Sequence, residues 1–585
     1  MATSDRPWVK FYDGYGPDNE VPDLTLYEWF RQTAGQYPDN IAIVYQNIRM
    51  TYRQLIREVD ACASALMGLG IRAGDSVMVS LPNIPNVLIL FFAINRLGAR
   101  AVMTHPLATA EELKDFATQT NSHWVFGIDM FMRSVLPLLD LPDMHQVVIC
   151  GADDYLGLAT TIGYRLTKGR GVAKVPTNHP GVMSWRRLMA GSVPLTSYKR
   201  MIDPMDGAVV LFTGGTTDLP KGIEHSAHTF NALVVSIALV LGIVPENSTL
   251  AILPAFHGYG LGLCMYGTLV VGATVLLEPE VGTKPFMNAL LKHKPSYIAG
   301  VPTLYQALLK LDNLDKVDFS QLRGAYSGGD TLTPDLKRRF DEVLMSHGSH
   351  VELEEGYGLT ECVAVVVSPP VGQYRPGSIG VPSPGVLATI VKPGTIEELP
   401  TGSEGEICLQ TEQTMIRYIN DEEATAKALR RHDDGLTWLH TGDVGSMDED
   451  GFIYFTGRIK RLVKVSGVAV FPAQVDKVLE DHPSVKEACS IGVPDEYQMS
   501  SIKAFIALAD GVQPSEALKA ELRAFAKARL MTWSVPRTIE FRDALPHTKY
   551  GKVAYKDLEE EEAARRQHLI EQQAFDVLST EGGGE

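Results

Sequence analysis

The chain lacks the features that mark secreted, zinc-finger or nucleic-acid-binding proteins. Its six cysteines (Cys62, Cys150, Cys264, Cys362, Cys408, Cys489) are scattered over 585 residues with no Cys-x-x-Cys pair. Neither a zinc site nor a disulfide framework is suggested, and a reducing cytoplasm is the simplest home. The opening MATSDRPWVKFYDGYG has no apolar stretch of the kind a signal peptide needs. The longest apolar run, Leu233 to Val244, is too short for a bilayer and is followed by Pro245 and Glu246. It reads as a buried helix. There is no basic excess: 53 Lys and Arg stand against 70 Asp and Glu, a formal charge of −17. That balance argues against a nucleic-acid partner. No internal repeat is evident, and nothing signals an oligomeric state.

What is present is enough apolar residue, 45% of the chain, to build more than one core. The first half alternates strand-like and helix-like stretches: GDSVMVSLP, then NVLILFFAINRLG ended by Gly98, then ARAVMTHP. The pattern returns at GAVVLF, which runs through a Gly-rich loop to HTFNALVVSIALVLG, and again at ATVLLEP, FMNALLKHKP and SYIAGVP. Such alternation predicts an α/β fold of βαβ units around largely parallel sheet. Residues 155–194 interrupt it with the basic stretch YRLTKGRGVAKVP. That reads as an ordered surface excursion, with a peripheral membrane contact as the sharper alternative. After about Gly372 short strands such as GEICLQT and GFIYFTG predict a small β-rich subdomain. Near Arg458 to Arg461 a second unit begins, a small α+β domain with Pro472 in the first turn of a helix. The Glu-, Gln- and Gly-rich tail from 559 to 585 reads as flexible or fraying.

The strongest local signal is Leu211-Phe-Thr-Gly-Gly-Thr-Thr-Asp-Leu-Pro-Lys-Gly222. Gly214 and Gly215 let backbone amides approach an anion. Thr213, Thr216 and Thr217 add hydroxyl donors, and Lys221 adds a mobile cation. The Gly-Lys-[Ser/Thr] of a Walker A loop is missing.

This run closely resembles the signature loop of the adenylate-forming superfamily, whose members include acyl-CoA synthetases, luciferases and peptide-synthetase adenylation domains. Asp218 stands where Gly is usual. The resemblance extends over nearly the whole chain, to about Lys552. Gly356-Tyr-Gly-Leu-Thr-Glu361 is similar to the second signature. By that likeness Gly356 and Gly358 flank Tyr357, which stacks on adenine, Thr360 contacts phosphate, and Glu361 holds Mg²⁺, a hard cation suited to carboxylate and water. Gly328, Gly329 and Asp330 resemble the segment lining the adenine and acyl pocket. Asp443 of Thr441-Gly-Asp443 resembles the acceptor of both ribose hydroxyls, supported by Arg458. His257, in Pro254-Ala-Phe-His-Gly-Tyr259, resembles a residue that packs beside the acyl carboxylate. Lys460 falls at the position of the hinge, Ser466 and Gly467 at the loop that admits the pantetheine arm, and Lys552 at the adenylation lysine.

The resemblance implies a large N-terminal AMP- and acyl-binding domain over 1–457, a hinge at 458–460 and a mobile C-terminal domain over 461–558. It implies activation of a carboxylic acid, with ATP and coenzyme A as co-substrates and Mg²⁺ as cofactor. A medium- or long-chain fatty acid is the first expectation. An aromatic or alicyclic acid, or a carrier-protein acceptor, is the alternative.

Overall fold

The computed structural model describes residues 6–12, 20–176, 179–213, 220–238, 240–465, 468–495, 499–548 and 552–567. The predicted alternation is present as a mixed α/β architecture, a large N-terminal part followed by a small C-terminal one. Two large sheets dominate. In the eight-stranded sheet, strands Gly207–Phe212, Arg100–Met103, Ser76–Ser80, Ser122–Ile128, Gln146–Cys150 and Val182–Ser184 run parallel. In the nine-stranded sheet the parallel run includes Tyr297–Gly300, Gly324–Gly328 and Leu353–Gly358. The edges are antiparallel in both.

Helix Pro85–Arg96 shows why the large part is stable. Its sequence PNVLILFFAINR is apolar on nearly every side, and every residue is buried. A helix apolar all round belongs in an interior. Each fully buried Leu, Ile or Phe contributes about 1.5–3 kcal/mol by leaving water. Its one cation, Arg96, is buried too. It ion-pairs with Asp60 at 3.3 Å, and donates to the Tyr27 hydroxyl at 2.7 Å and the Ser197 carbonyl at 2.9 Å.

The β-rich subdomain is an antiparallel five-stranded sheet of Val386–Val391, Gly405–Thr411, Leu429–Arg431, Thr437–Met447 and Ile453–Arg458. The C-terminal unit sets helices Pro472–Glu480 and Glu516–Lys527 beside strands Val485–Asp495, Met499–Leu508 and Thr538–Arg542. Residues 555–567 are helical, and Glu562 is tied to the buried Lys503 at 2.7 Å.

Two local expectations are corrected. The run from Leu233 is not one helix: an α-helix over Ala227–Leu233 continues as a π-helix only over Val234–Ala238. A hydrophobic run cannot distinguish helix types, because all bury the same side chains. The phosphate loop, expected to lead from strand to helix, instead leads to a second strand, Gly222–Ser226, antiparallel to Gly207–Phe212. The sequence GIEHS conceals that strand because it places Glu224 inside. Arg417, on the adjacent strand, and Arg100, two strands away in the same sheet, neutralise Glu224 at 2.8 and 2.7 Å. The 155–194 excursion is stitched to the large part: Tyr155 donates to Glu58 at 2.9 Å, and Arg186 ion-pairs with Asp153 and Asp154. Among the described residues no helix is long and apolar enough to cross a membrane.

Candidate active site

Parallel strands present their carboxyl ends on one side of a sheet, where loops can gather polar groups. Strands Gly324–Gly328 and Leu353–Gly358 are parallel neighbours, with Gly328 opposite Gly356. Gly328, Gly329 and Asp330 therefore lie beside Gly356, Tyr357 and Gly358. Gly329 turns the chain at φ +82°, a left-handed conformation suited to glycine. Its neighbour Asp330 accepts from the Thr331 amide at 2.9 Å and is exposed.

Asp443 comes from the β-rich subdomain and reaches the same place. It is 2% exposed. The Tyr357 hydroxyl donates to its Oδ2 at 2.7 Å, and Arg458, its register partner on the next strand, brings Nε to 3.0 Å from Oδ1. That last contact is an ion pair without hydrogen-bond alignment, so Oδ1 keeps its acceptor capacity. Burial raises the Asp443 carboxyl, with Arg458 and Tyr357 opposing the rise. Burial also pushes the Tyr357 phenol well up, aided by the Asp443 charge. The phenol is thus a fixed donor.

Glu361 follows in a short turn, Thr360–Cys362. The Tyr418 hydroxyl donates to Glu361 Oε1 at 2.6 Å, and the Met415 amide donates to the Glu361 carbonyl at 2.7 Å. Tyr418 was not singled out from sequence. It stands in a two-residue strand, Arg417–Tyr418, with no motif around it. Val363 then adopts φ 64°, the left-handed region that β-branched residues avoid. The turn is held from behind by Gly258, where an added Cβ would lie 1.7 Å from the Val363 carbonyl oxygen. Close packing thus joins the His257 motif to the Glu361 motif.

His257 accepts from the Tyr259 amide at Nδ1, 3.2 Å away. Its surroundings push it down to about 4, first by desolvation and then by the positive charge of Lys552. Lys552 is lowered by desolvation and by Arg458, and raised by Asp330 and Asp443. Both residues are exposed. Lys552 comes from the far end of the chain, yet His257, Asp330, Asp443 and Arg458 are its electrostatic neighbours. At the neck of the phosphate loop, Thr213 and Lys221 exchange hydrogen bonds: the Thr213 amide donates to the Lys221 carbonyl, and the Lys221 amide donates to Thr213 Oγ1, both at 3.0 Å. The Lys221 ammonium pairs with Asp421 at 2.8 Å and lies over the Tyr418 ring. Gln119 accepts from the Gly222 amide at 2.7 Å and fixes the loop's exit.

Gly214, Gly215, Thr216, Thr217, Ser466 and Gly467 lie outside the described residues, and Lys460 is described only as backbone in the turn Ile459–Arg461.

Residues 30–419 match the family described as AMP-binding enzyme, and residues 474–552 match the AMP-binding enzyme C-terminal domain. The long-chain-fatty-acid–CoA ligase of Bacillus subtilis (strain 168) is 32% identical, over 96% of this chain and 98% of its own length. The crystal structure of an anthranilate CoA ligase in complex with anthranoyl-AMP superposes with a TM-score of 0.79 at 25% identity, over 92% of this chain and 98% of that one. A benzoate CoA ligase from Burkholderia xenovorans LB400 shares the fold, with a TM-score of 0.77 at 24% identity over 92% and 99%. With both domain matches in order along one chain, and a relative aligned from end to end, this protein belongs to the AMP-binding enzyme family.

Proposed function

We propose that the protein is a cytoplasmic acyl-CoA synthetase: it joins a carboxylic acid to AMP, releases pyrophosphate, and passes the acyl group to coenzyme A. The observation that carries this reading is the buried Asp443 carboxylate, held by Tyr357 at 2.7 Å and by Arg458 at 3.0 Å, with Lys552 near enough to feel the charges of Asp443 and Arg458. Asp443 Oδ1 would accept the ribose hydroxyls while Tyr357 holds Oδ2 and packs beside adenine. The phosphate loop, with Thr213 and Lys221 at its neck, would cradle the triphosphate. Neutral His257 would orient the acyl carboxylate without adding a competing cation. Lys552 would stabilise the charge that moves from carboxylate to pyrophosphate as the α-phosphorus is attacked.

The oxygen donors of Glu361 and Thr360 suit Mg²⁺, and Tyr418 holds the carboxylate in place. When bound there, the ion would offset charge on the phosphates. This chain's own contribution is to fix Glu361 from both sides, at the side chain and at the backbone carbonyl.

The contacts on each side support a domain boundary here. Arg458 is bound to Asp443 of the large part. Arg461 is bound to Asp476 at 3.0 Å and to the Ser490 carbonyl at 3.2 Å, both in the small part. Residues 459–460 lie between these two sets of contacts. We therefore keep Lys460 as the hinge, with the large domain before 458 and the mobile domain from 461 to 558. Rotation would withdraw Lys552 and bring Ser466 and Gly467 to the acyl-adenylate for thiol attack.

Near-complete alignment with a long-chain-fatty-acid–CoA ligase favours an aliphatic acid of medium or long chain. The fold shared with ligases of ring acids makes those the second reading. Acid-dependent pyrophosphate exchange, followed by CoA-dependent AMP release, tests the proposal across chain lengths and ring acids. Long aliphatic acids should give the highest kcat/KM. Preference for benzoate or anthranilate would overturn the substrate assignment, and exchange without CoA-dependent thioester would overturn the acceptor.

A further inference from the structure

We propose that Cys408, His432 and His440, in the β-rich subdomain, form a buried site for one zinc-class divalent ion. The scattered cysteines gave no reason to expect a zinc site. Sheet pairing supplies one. Cys408 on strand Gly405–Thr411 is the direct cross-strand partner of His440 on strand Thr437–Met447. His432 lies in the turn that leads back into that second strand. All three are buried: Cys408 is 0% exposed, His440 6% and His432 7%. Their ligating atoms lie within 4.8 Å of one another, and among the described residues this is the one such group.

The ligands are also aimed. His432 Nε2 and His440 Nε2 face each other at 3.0 Å. Tetrahedral zinc, with bonds of about 2.0–2.1 Å to nitrogen and 2.3 Å to sulfur, sets two nitrogens roughly 3.3 Å apart and nitrogen and sulfur roughly 3.6 Å apart. A small opening of the imidazole pair, with closure of the thiol onto it, meets those spacings. Behind His440, Glu406 Oε2 lies 3.1 Å from Nδ1. The carboxylate fixes the Nδ1–H tautomer and turns the Nε2 lone pair toward the cluster, as the outer partner of a metal-bound histidine does. Glu406 is itself held by the Gly442 amide at 3.1 Å. The Trp438 ring stacks on His432 with centroids 5.3 Å apart, and its indole N–H donates to Asp434 at 3.0 Å.

Two imidazoles and one thiol are borderline-soft donors, which select zinc over magnesium. Binding releases the Cys408 thiol proton to solvent, and the His432 Nε2 proton moves to Nδ1. The buried charge is then one dication, one thiolate and the Glu406 carboxylate, which sum to zero. A fourth position is left for water. Strand Thr437–Met447 also carries Asp443, so the ion would brace the strand that holds the ribose acceptor of the proposed active site. The site itself does not depend on that proposal.

Untagged full-length protein, stripped with a chelator and titrated with Co²⁺, tests the idea directly. The expected result is one ion per chain, with a thiolate-to-cobalt charge-transfer band and the intense visible bands of tetrahedral cobalt. Zinc should bleach the bands and raise the thermal midpoint. Cys408→Ser should abolish the charge-transfer band, and His432→Gln should lower affinity at least tenfold. Glu406→Gln should keep the band but weaken binding by about 10–100-fold. Circular dichroism, and pyrophosphate exchange run with Mg²⁺ but without Zn²⁺ or Co²⁺, confirm that the Cys408→Ser variant is folded. If the wild-type chain shows no thiolate band, or binds metal no better than Cys408→Ser, the cluster is a hydrogen-bonded histidine pair beside a thiol and the proposal fails.

Discussion

Replacing Lys552 with alanine separates the two half-reactions and reports on the cleft at the same time. Lys552 is within electrostatic reach of His257, Asp330, Asp443 and Arg458, and in the proposed mechanism its ammonium acts where acid and α-phosphate meet. Loss of one preorganised donor costs about 10²–10³ in rate, about 3–4 kcal/mol. Adenylation in Lys552→Ala should fall by at least that factor. Thioester formation from synthetic acyl-AMP should hold within a few-fold, because on the proposed domain rotation the lysine would by then have left the site. The same substitution has an electrostatic signature. The ammonium of Lys552 is the second cause, after desolvation, that holds His257 at about 4. Removing a neighbouring cation makes imidazolium easier to form, so His257 should titrate higher in the variant. Single-turnover rates from ATP plus acid and from acyl-AMP plus CoA give the first result, and NMR of labelled histidine gives the second. Equal loss of both rates would refute the alternation of domains. An unmoved His257 would refute the closeness of Lys552 to the acyl subsite.

Tyr357→Phe removes a 2.7 Å donor from a carboxylate that is 2% exposed. ATP binding should weaken by about 1–3 kcal/mol, read as a raised KM in pyrophosphate exchange; an unchanged KM would remove Asp443 from the nucleotide site. Gly258→Ala forces a Cβ to within 1.7 Å of the Val363 carbonyl oxygen. Backbone must move, so stability should drop by about 1–3 kcal/mol and Glu361 should lose its place; a variant that melts with the wild type contradicts the packing. His225 is fully buried, and desolvation pushes it from 6.5 down to about 3. The unfolded chain therefore takes up a proton that the fold refuses. Its stability is undiminished above about pH 6.5 and falls progressively toward pH 3, by up to about 4–5 kcal/mol. Denaturant unfolding across that range should show a shallower acid loss for His225→Phe, and parallel curves would exclude His225 as a source.

Order along the chain made much of this protein legible. Alternating apolar runs separated by Gly and Pro fix local elements, because strand and helix periodicities need only neighbouring residues. Strand Gly405–Thr411 and helix Pro472–Glu480 were readable for that reason. The candidate site residues were readable because each lies in a short contiguous run that resembles a motif of the family. Glu224 misled that reading, since its burial depends on Arg100 and Arg417 from distant strands.

Tertiary structure decided the rest. It brought Lys552 within electrostatic reach of His257, hung Glu361 from Tyr418, and seated Gly258 against Val363. It also brought Cys408 and His440 into register beside His432. The local code names the chemical groups along the chain. Sheet pairing and close packing, which act between residues hundreds of positions apart, determine which of those groups share one volume and so which pKa values shift and which ligands converge.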